Sequence, residues 1–344
     1  MNGLYRQLHL LLALLSVNSA VDAFDVDQDA VIVARTAFIE RMVQTHGFDS
    51  QLLTHLLGEA EIVDRILEAI SRPAERVMPW HEYRAIFLTD SRIDAGAAFW
   101  LAHEDDIREA TARYDVAPEM VVAILGVETL YGERTGTYHV LDSLSTLAFA
   151  YPPRSAFFTS ELEAFLLLAR EEGIDPRETL GSYAGAMGAG QFISSSFRAY
   201  AVDGNGDGRR DLWRDWQDVF ASVANYFAVH GWRRGEPVVA RATLGADWSG
   251  LEPGNSMELT ETVASASELG YVFATKLPPS ESATILSLQG AEEQQYWIGY
   301  HNFHVITRYN RSVKYALAAY ELGQEVRAAY EQLRNRDGTE STGA

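Results

Sequence analysis

The spacing of apolar residues constrains the fold of this chain more than any other feature of its sequence. From Phe24 to about Ala112, apolar residues recur every three or four positions, in stretches such as AFIERMVQTHGF and AAFWLAHEDDIREATARY. This period places them on one side of an α-helix, so this part of the chain is predicted to be helical. Further helical stretches follow in SAFFTSELEAFLLLARE and WQDVFASVANYFAVHGW.

The pattern changes after Gly235. The stretches PVVARATL, GYVFATKL and ATILSLQG are short, rich in β-branched residues and separated by Gly, Pro, Ser and Asn. These are features of β-strands and predict a small sheet. The helical period returns from about Phe303. The sequence therefore predicts a mainly α (α+β) protein with a small antiparallel β domain.

Length and charge limit the possible functions. The 344 residues are enough for two or three packed domains. Acidic residues outnumber basic residues by 48 to 28, which gives a formal net charge of −20. A surface this negative repels nucleic acid and anionic lipid, so neither is expected as a partner. The chain has no cysteine, which excludes disulfides, thiolate catalysis and thiolate zinc sites.

The first 23 residues have the pattern of a signal peptide. Arg6 precedes the apolar stretch LHLLLALLSV, and Val21 and Ala23 place small residues at a cleavage point after Ala23. The apolar stretch is too short for a membrane-spanning helix, and an N-terminal core helix is the alternative. No later stretch predicts a membrane span, and no cysteine follows the apolar stretch to carry a lipid anchor. We expect an exported, soluble protein.

Glu128 is a carboxylate at the end of the apolar run VVAILGVE. Val121, Ile124, Leu125 and Glu128 fall on neighbouring turns of one helix face, so the carboxylate is expected to point into apolar surroundings. Burial raises the pKa of a carboxyl group, which suits a general acid near neutral pH. A glutamate hydrogen-bonded to the backbone at the helix end explains the pattern equally well.

The segment GSYAGAMGAGQFISSSF, residues 181–197, interleaves glycine and alanine with hydroxyl and amide side chains. Small residues allow close approach of the backbone to a ligand, so this loop could line a groove for sugars. A tight packing corner is the alternative. The serines near its end are suited to cap a following helix.

The segment DGNGDGRRDLWRDWQD, residues 203–218, resembles a calcium-binding loop. Asp203, Asn205, Asp207 and the carbonyl of Arg209 occupy alternate positions, and Gly208 stands at the sixth. This is the spacing of an EF-hand, except that its twelfth position is Arg214 instead of glutamate. A closing ligand must come from Asp211, Asp215 or Asp218. A turn without a metal is the alternative.

Aromatic residues are concentrated in YWIGYHNFHVITRYN, residues 296–310, together with Asn302 and Asn310. Aromatic faces beside amide groups suit sugar rings. Aromatic residues at helical spacing more often belong to a hydrophobic core.

Taken together, these segments resemble the lytic murein transglycosylase B family in its soluble form. The resemblance covers most of the chain from about Trp80 to Leu322. No single motif is decisive, but the ordered set is specific. The motifs are GVET, LDSLSTLAF, YPPRSAFFTSELEAFLLLAR, GAMGAGQF, DGNGDG followed by LW, SVANYF and NFHVITRYNRSVKYA.

The resemblance implies a lysozyme-like helical core with an N-terminal helical domain and a small antiparallel β domain. The division that follows is a signal peptide (1–23), a helical domain (24–112), a catalytic core with the EF-hand-like loop (113–235), a β domain (236–295), a C-terminal helical segment completing the core (296–335) and a disordered tail (336–344).

The resemblance also assigns roles to individual residues. Glu128 matches the family's single acid/base, and Pro153 stands where a second arginine is expected. Structural Ca²⁺ is implied in the 203–218 loop, with Asp218 as closing ligand; no organic cofactor is implied. The implied groove residues are Tyr83, Arg154, Ser182, Gln191, Tyr309 and Asn310.

The implied activity is cleavage of the β-1,4 bond between N-acetylmuramic acid and N-acetylglucosamine in periplasmic peptidoglycan glycan strands. With one carboxylate, we hypothesise a substrate-assisted reaction that leaves 1,6-anhydromuramic acid ends. Two alternatives remain open. One is a hydrolytic muramidase of the same fold, and the other is a non-catalytic, calcium-stabilised peptidoglycan-binding protein.

Overall fold

The computed structural model describes residues 26–71, 78–250 and 252–341, so the predicted signal peptide lies outside the described residues. The N-terminal part is helical, as predicted. Asp27, Asp49 and Thr89 each accept a hydrogen bond from a backbone N–H of the first turn that follows. The helices are α1 (Gln28–His46), α2 (Ser50–Glu59), α3 (Asp64–Ser71), α4 (Trp80–Phe87), α5 (Asp90–Ala102) and α6 (Glu104–Tyr114).

The helix that carries Glu128 lies at the centre of the molecule. This helix, α7 (Pro118–Thr129), packs against α5 and α6 and against two helices from later in the chain. Every residue from Met120 to Gly126 is buried. The sequence predicted one inward stripe; the structure shows a helix that is covered on all sides, as expected for a helix that is apolar all round.

Four further helices and a two-stranded ribbon complete this part of the fold. The ribbon joins β1 (Tyr138–His139) to β2 (Leu180–Gly181) in antiparallel register. The helices are α8 (Val140–Ala150), α9 (Ser155–Glu172), α10 (Ser194–Tyr200) and α11 (Trp216–Val229).

Helix α10 begins at the predicted serines, but no side chain of the preceding residue caps it. The buried carboxylate of Glu161 accepts hydrogen bonds from the Ser195 N–H at 2.9 Å and from its hydroxyl at 2.7 Å instead. A glutamate from α9 therefore satisfies the first turn of α10, a contact that the local sequence does not indicate.

A five-stranded antiparallel sheet follows, with a short helix, α12 (Val263–Glu268), beside it. Strand β6 is buried along most of its length because the sheet's own core covers one face and the main core receives Leu286 and Leu288 from the other. In spatial order the strands are β4 (Glu261–Thr262), β6 (Ser282–Gln289), β7 (Gln294–Gly299), β3 (Val239–Leu244) and β5 (Tyr271–Phe273).

Two features at the end of the chain differ from expectation. Strand β7 covers part of the aromatic segment 296–310, which the sequence did not predict to be a strand. After α13 (His301–Tyr309), helix α14 (Val313–Ser341) continues into the predicted tail and packs on α5 and α7.

The mainly helical fold with a small antiparallel sheet is confirmed, and the domain division stays a proposal. No helix in the described ranges is long and apolar enough to span a membrane.

Candidate active site

Glu128 lies in the last turn of α7 and is half-buried. The helix ends because Leu130 and Tyr131 both take left-handed backbone conformations, and the Tyr131 N–H returns to the Leu125 carbonyl at 3.0 Å. The carbonyl end of a helix carries partial negative charge, which disfavours a carboxylate in this turn.

A buried tyrosine from α14 contacts this carboxyl group. The Tyr315 hydroxyl donates a hydrogen bond to Glu128 Oε1 at 2.5 Å, and only 3% of Tyr315 is exposed. Burial, and then the charge of Glu128, raise the pKa of Tyr315 well above its ordinary value. The phenol is therefore protonated at any pH at which a protein works, and it remains a hydrogen-bond donor. Sequence reasoning missed Tyr315, although it belongs to the motif NFHVITRYNRSVKYA.

Tyr83 and Tyr309, both predicted groove residues, share this environment. Tyr83 lies near enough to Tyr315 to raise its pKa. Burial, followed by the charge of Glu128, raises the pKa of Tyr309. Glu128 is the only carboxylate among the causes of the raised pKa of either Tyr309 or Tyr315 in the described part of the chain. The site is thus one acid among three tyrosines.

The Tyr309 hydroxyl holds the glycine-rich loop, residues 181–191, against this cluster. It donates to the Gly190 carbonyl at 2.6 Å. A Cβ at Gly190 would lie 3.1 Å from the Tyr309 hydroxyl oxygen. A side chain here would crowd the hydroxyl, which explains the glycine. The structure therefore brings Gly190 of this loop next to Tyr309, whose pKa the charge of Glu128 raises.

Ser182 and Gln191 lie at the two ends of this loop and serve its geometry. The Ser182 hydroxyl accepts hydrogen bonds from the backbone N–H groups of Ala184 and Ala186, at 3.3 and 3.1 Å. The Gln191 side-chain amide donates to the carbonyls of Thr135 and Gly188, at 3.0 and 2.9 Å. Both side chains are half-buried. Their use in the loop leaves the O–H of Ser182 and the amide oxygen of Gln191 as the atoms suited to meet a ligand.

Thr129 joins the end of α7 to the same loop and was not predicted. Its buried hydroxyl donates to the Ala189 carbonyl at 2.8 Å and accepts from the Gly132 N–H at 3.0 Å. The residue after Glu128 therefore fixes the distance between the carboxyl group and the loop.

Arg154 and Asn310, the two remaining predicted groove residues, lie at the ends of other helical elements. Arg154 lies in the 3₁₀ turn Pro152–Arg154 and is exposed, with its guanidinium 4.5 Å from the ring centre of Phe157. Asn310 is the first residue after α13, where its carbonyl accepts from the Ser312 N–H at 2.8 Å.

The 203–218 loop folds around its own backbone amides. Asp203 accepts from the N–H groups of Gly206, Asp207 and Gly208, and Asn205 Oδ1 accepts from Asp207. Asp207 Oδ1 accepts from the Arg209 N–H at 2.9 Å. A carboxylate has about four lone-pair directions, so these bonds leave room for a cation.

The predicted closing ligand, Asp218, is 1% exposed. Its two oxygens accept from the N–H groups of Gly204 and Asp211, each at 2.7 Å. Burial raises the pKa of Asp218, and its backbone hydrogen bonds oppose that rise. Within the described ranges, no three acidic or histidine side chains converge to hold a metal ion. The loop has oxygen donors that suit calcium, but not their convergent arrangement.

Comparison with known proteins decides the family. Residues 33–324 match the family described as "Transglycosylase SLT domain". The chain belongs to this family. It is 41% identical to "Membrane-bound lytic murein transglycosylase B" of Escherichia coli (strain K12) over 303 residues, which cover 85% of this chain and 82% of that protein.

Three solved structures of the family are similar throughout. Catenated lytic transglycosylase SltB1 from Pseudomonas aeruginosa is 45% identical, with a TM-score of 0.82 over 86% of this chain and 97% of that one. Lytic transglycosylase Slt35 of Escherichia coli in complex with calcium is 41% identical (TM-score 0.79, covering 86% and 93%). SltB3 from Pseudomonas aeruginosa in complex with NAG-anhNAM-pentapeptide is 30% identical (TM-score 0.74, covering 87% and 80%).

Replacing Tyr315 with phenylalanine should change how activity depends on pH. A hydrogen bond donated to a carboxylate favours the ion, so its loss should keep Glu128 protonated to higher pH. We expect the alkaline limb of the pH–rate profile to move to higher pH. We expect kcat to fall by about one to two orders of magnitude, since hydrogen bonds to charged groups contribute about 1.5–3 kcal/mol. Tyr330→Phe is the control, because Tyr330 lies on the same helix α14 as Tyr315 but its hydroxyl bonds to Glu104 of α6, away from Glu128. An unchanged profile for Tyr315→Phe would mean that this contact has no part in proton transfer.

Proposed function

We propose that this protein is a peptidoglycan lytic transglycosylase. It would cleave the β-1,4 bond between N-acetylmuramic acid and N-acetylglucosamine and leave 1,6-anhydromuramic acid ends. The observation that carries the proposal is the single carboxyl group of Glu128, bonded to buried Tyr315 beside the glycine-rich loop. The activity in the name of the Escherichia coli relative and the anhydro-sugar ligand of SltB3 support the same reaction.

The first step is proton donation. Glu128 begins as the neutral acid, which its apolar helix and the negative helix end favour. It gives its proton to the glycosidic oxygen, and the bond from that oxygen to C1 of the muramic acid breaks. The 2-acetamido carbonyl oxygen of the same sugar stabilises the positive charge at C1 from the opposite face.

The second step returns the proton. Glu128, now a carboxylate, removes the proton of the C6 hydroxyl, and that oxygen attacks C1 to close the 1,6-anhydro ring. The acid is regenerated and no water is consumed. Two-carboxylate glycosidases place their acids about 5–5.5 Å or 6.5–9.5 Å apart. The substrate's own amide and hydroxyl replace the second carboxylate here.

The surrounding residues hold the glycan in this proposal. The Tyr315 hydroxyl stabilises the carboxylate between the two steps, because a hydrogen bond to the ion lowers its free energy. The buried Tyr83 and the half-buried Tyr309 limit the access of water to the anion. Polar contacts with the sugars come from the remaining groove residues, Ser182, Gln191, Asn310 and Arg154.

Glu128→Gln tests the assignment. The amide has nearly the same shape but cannot donate and recover a proton, so fold and glycan binding should persist. We expect clearing of a peptidoglycan suspension to slow by about 10²–10⁴-fold, the usual contribution of general acid–base catalysis. Glu133→Gln, which changes an exposed carboxylate near the same helix end, should leave the rate unchanged. Near-normal turnover by Glu128→Gln would refute the assignment.

We propose a structural calcium ion in the 203–218 loop. Asp203, Asn205, Asp207, the Arg209 carbonyl and Asp218 would hold it, and the calcium complex of Slt35 supports this. When bound, the ion would neutralise the negative charges of Asp203, Asp207 and Asp218. It has no role in the proton transfers.

Calcium should therefore stabilise the fold. At free calcium about a hundredfold above its Kd, we expect Tm to rise by about 5 °C, and a chelator should reverse the rise. Asp203→Ala should lose the response, whereas Asp94→Ala, an acidic substitution outside the loop, should keep it. If calcium and chelator leave the wild-type transition in place, the metal proposal is wrong.

We also propose export to the periplasm, where peptidoglycan lies. The support is the order of Arg6, the apolar stretch and the small residues Val21 and Ala23. Protein recovered from the periplasmic fraction should begin at Phe24 on N-terminal sequencing. Recovery of the full-length chain from the cytoplasm would contradict export.

A further inference from the structure

Residues 211–213 connect the 203–218 loop to the glycine-rich loop at two points. The Trp213 indole N–H donates to the carbonyl of Leu180, the residue before the glycine-rich loop, at 3.1 Å. The Leu212 carbonyl accepts from the Ala189 N–H at 2.8 Å, near its other end. The two bonds therefore span the segment that contains Ser182.

The contact at Leu212 is close backbone packing. Gly188 has a φ of +69°, and a Cβ there would lie 2.4 Å from the Leu212 carbonyl oxygen. Because backbone meets backbone with no side chain between them, a shift of residues 211–213 must move the loop too.

Asp218 holds the same residues from the other side. Its buried carboxylate accepts from the Asp211 N–H and from the Gly204 N–H. Asp211 Oδ1 in turn accepts from the backbone N–H groups of Trp213 and Arg214, at 2.9 and 3.0 Å. A continuous set of hydrogen bonds thus leads from Asp218 to Trp213.

We propose that Trp213 is a positioning residue for glycan binding. It transmits the order of the 203–218 loop to the backbone of Leu180–Gly181, and so to the groove side chain Ser182. The inference rests on the proposed function, because it assigns the glycine-rich loop to the glycan. The hydrogen bonds that would transmit this order lie within the chain and do not require a bound cation.

Trp213→Phe isolates the hydrogen bond. The Trp213 ring packs on Phe197 with centres 5.8 Å apart, and phenylalanine keeps an aromatic ring there while it removes the N–H. We expect KM for glycan strands to rise about fivefold with kcat within about twofold, since one hydrogen bond is worth about a fivefold change in an equilibrium constant. An unchanged KM would overturn the proposal.

Trp232→Phe is the matched control. The Trp232 ring packs on Phe227, and its indole N–H is buried without a hydrogen-bond partner among the described residues. This substitution should therefore leave KM unchanged. Equal effects of the two substitutions on KM would mean that Trp213 acts only through general stability.

Asp218→Asn tests the transmission. Asparagine keeps only one of the two oxygens that accept from Gly204 and Asp211, so this variant should loosen residues 204–211 and also raise KM. If Trp213 carries the effect, the double variant should raise KM no more than the larger single change, whereas independent effects would multiply and contradict the proposal. Binding of glycan fragments to these variants in a Glu128→Gln background gives a second readout. An inactive wild type would refute the proposed function, whereas an active wild type with unaltered binding by Trp213→Phe would refute only the positioning role.

Discussion

The chemistry of this site depends on the surroundings of one carboxyl group. Glu128 lies in the last turn of a helix whose residues from Met120 to Gly126 are all buried. Apolar surroundings and the negative end of the helix both favour the neutral acid, whereas the Tyr315 hydroxyl favours the carboxylate. A group held between these opposing effects can give up a proton and take it back, which is what one acid must do if it serves both steps.

Catalysis also requires that this group meet the substrate at a fixed distance, and much of the polar chemistry of the site secures that distance. Thr129, Tyr309 and Trp213 each donate a hydrogen bond to a different carbonyl of residues 180–190. These hydrogen bonds thus join the acid-bearing helix end and the loop into one unit. The hydroxyl of Ser182 and the amide nitrogen of Gln191 stabilise the loop itself, so a sugar would be met by a preformed surface. Preformed surfaces bind with a smaller loss of conformational freedom.

The sequence predicts much of this arrangement, because local patterns determine it. The apolar period locates the helices, the β-branched stretches locate three of the longer strands, and the apolar run before Glu128 singles out that residue. Tyr315 could not be found in the same way, since 187 positions separate it from Glu128 and no local period reports the contact. Thr129 and Glu161 were missed for the same reason: their partners come from other elements. The 203–218 loop shows the opposite case. Its sequence has the spacing of metal ligands, but within the described residues these side chains do not converge on one point.

The most direct test of the single-acid reaction is to digest purified glycan strands in water labelled with the heavy isotope of oxygen. If the C6 hydroxyl is the nucleophile, the muramic acid ends carry no label and are one water lighter than the hydrolytic product. Incorporation of one labelled oxygen at C1 would show that water attacks instead, and would contradict the claim that Glu128 and the substrate alone complete the reaction.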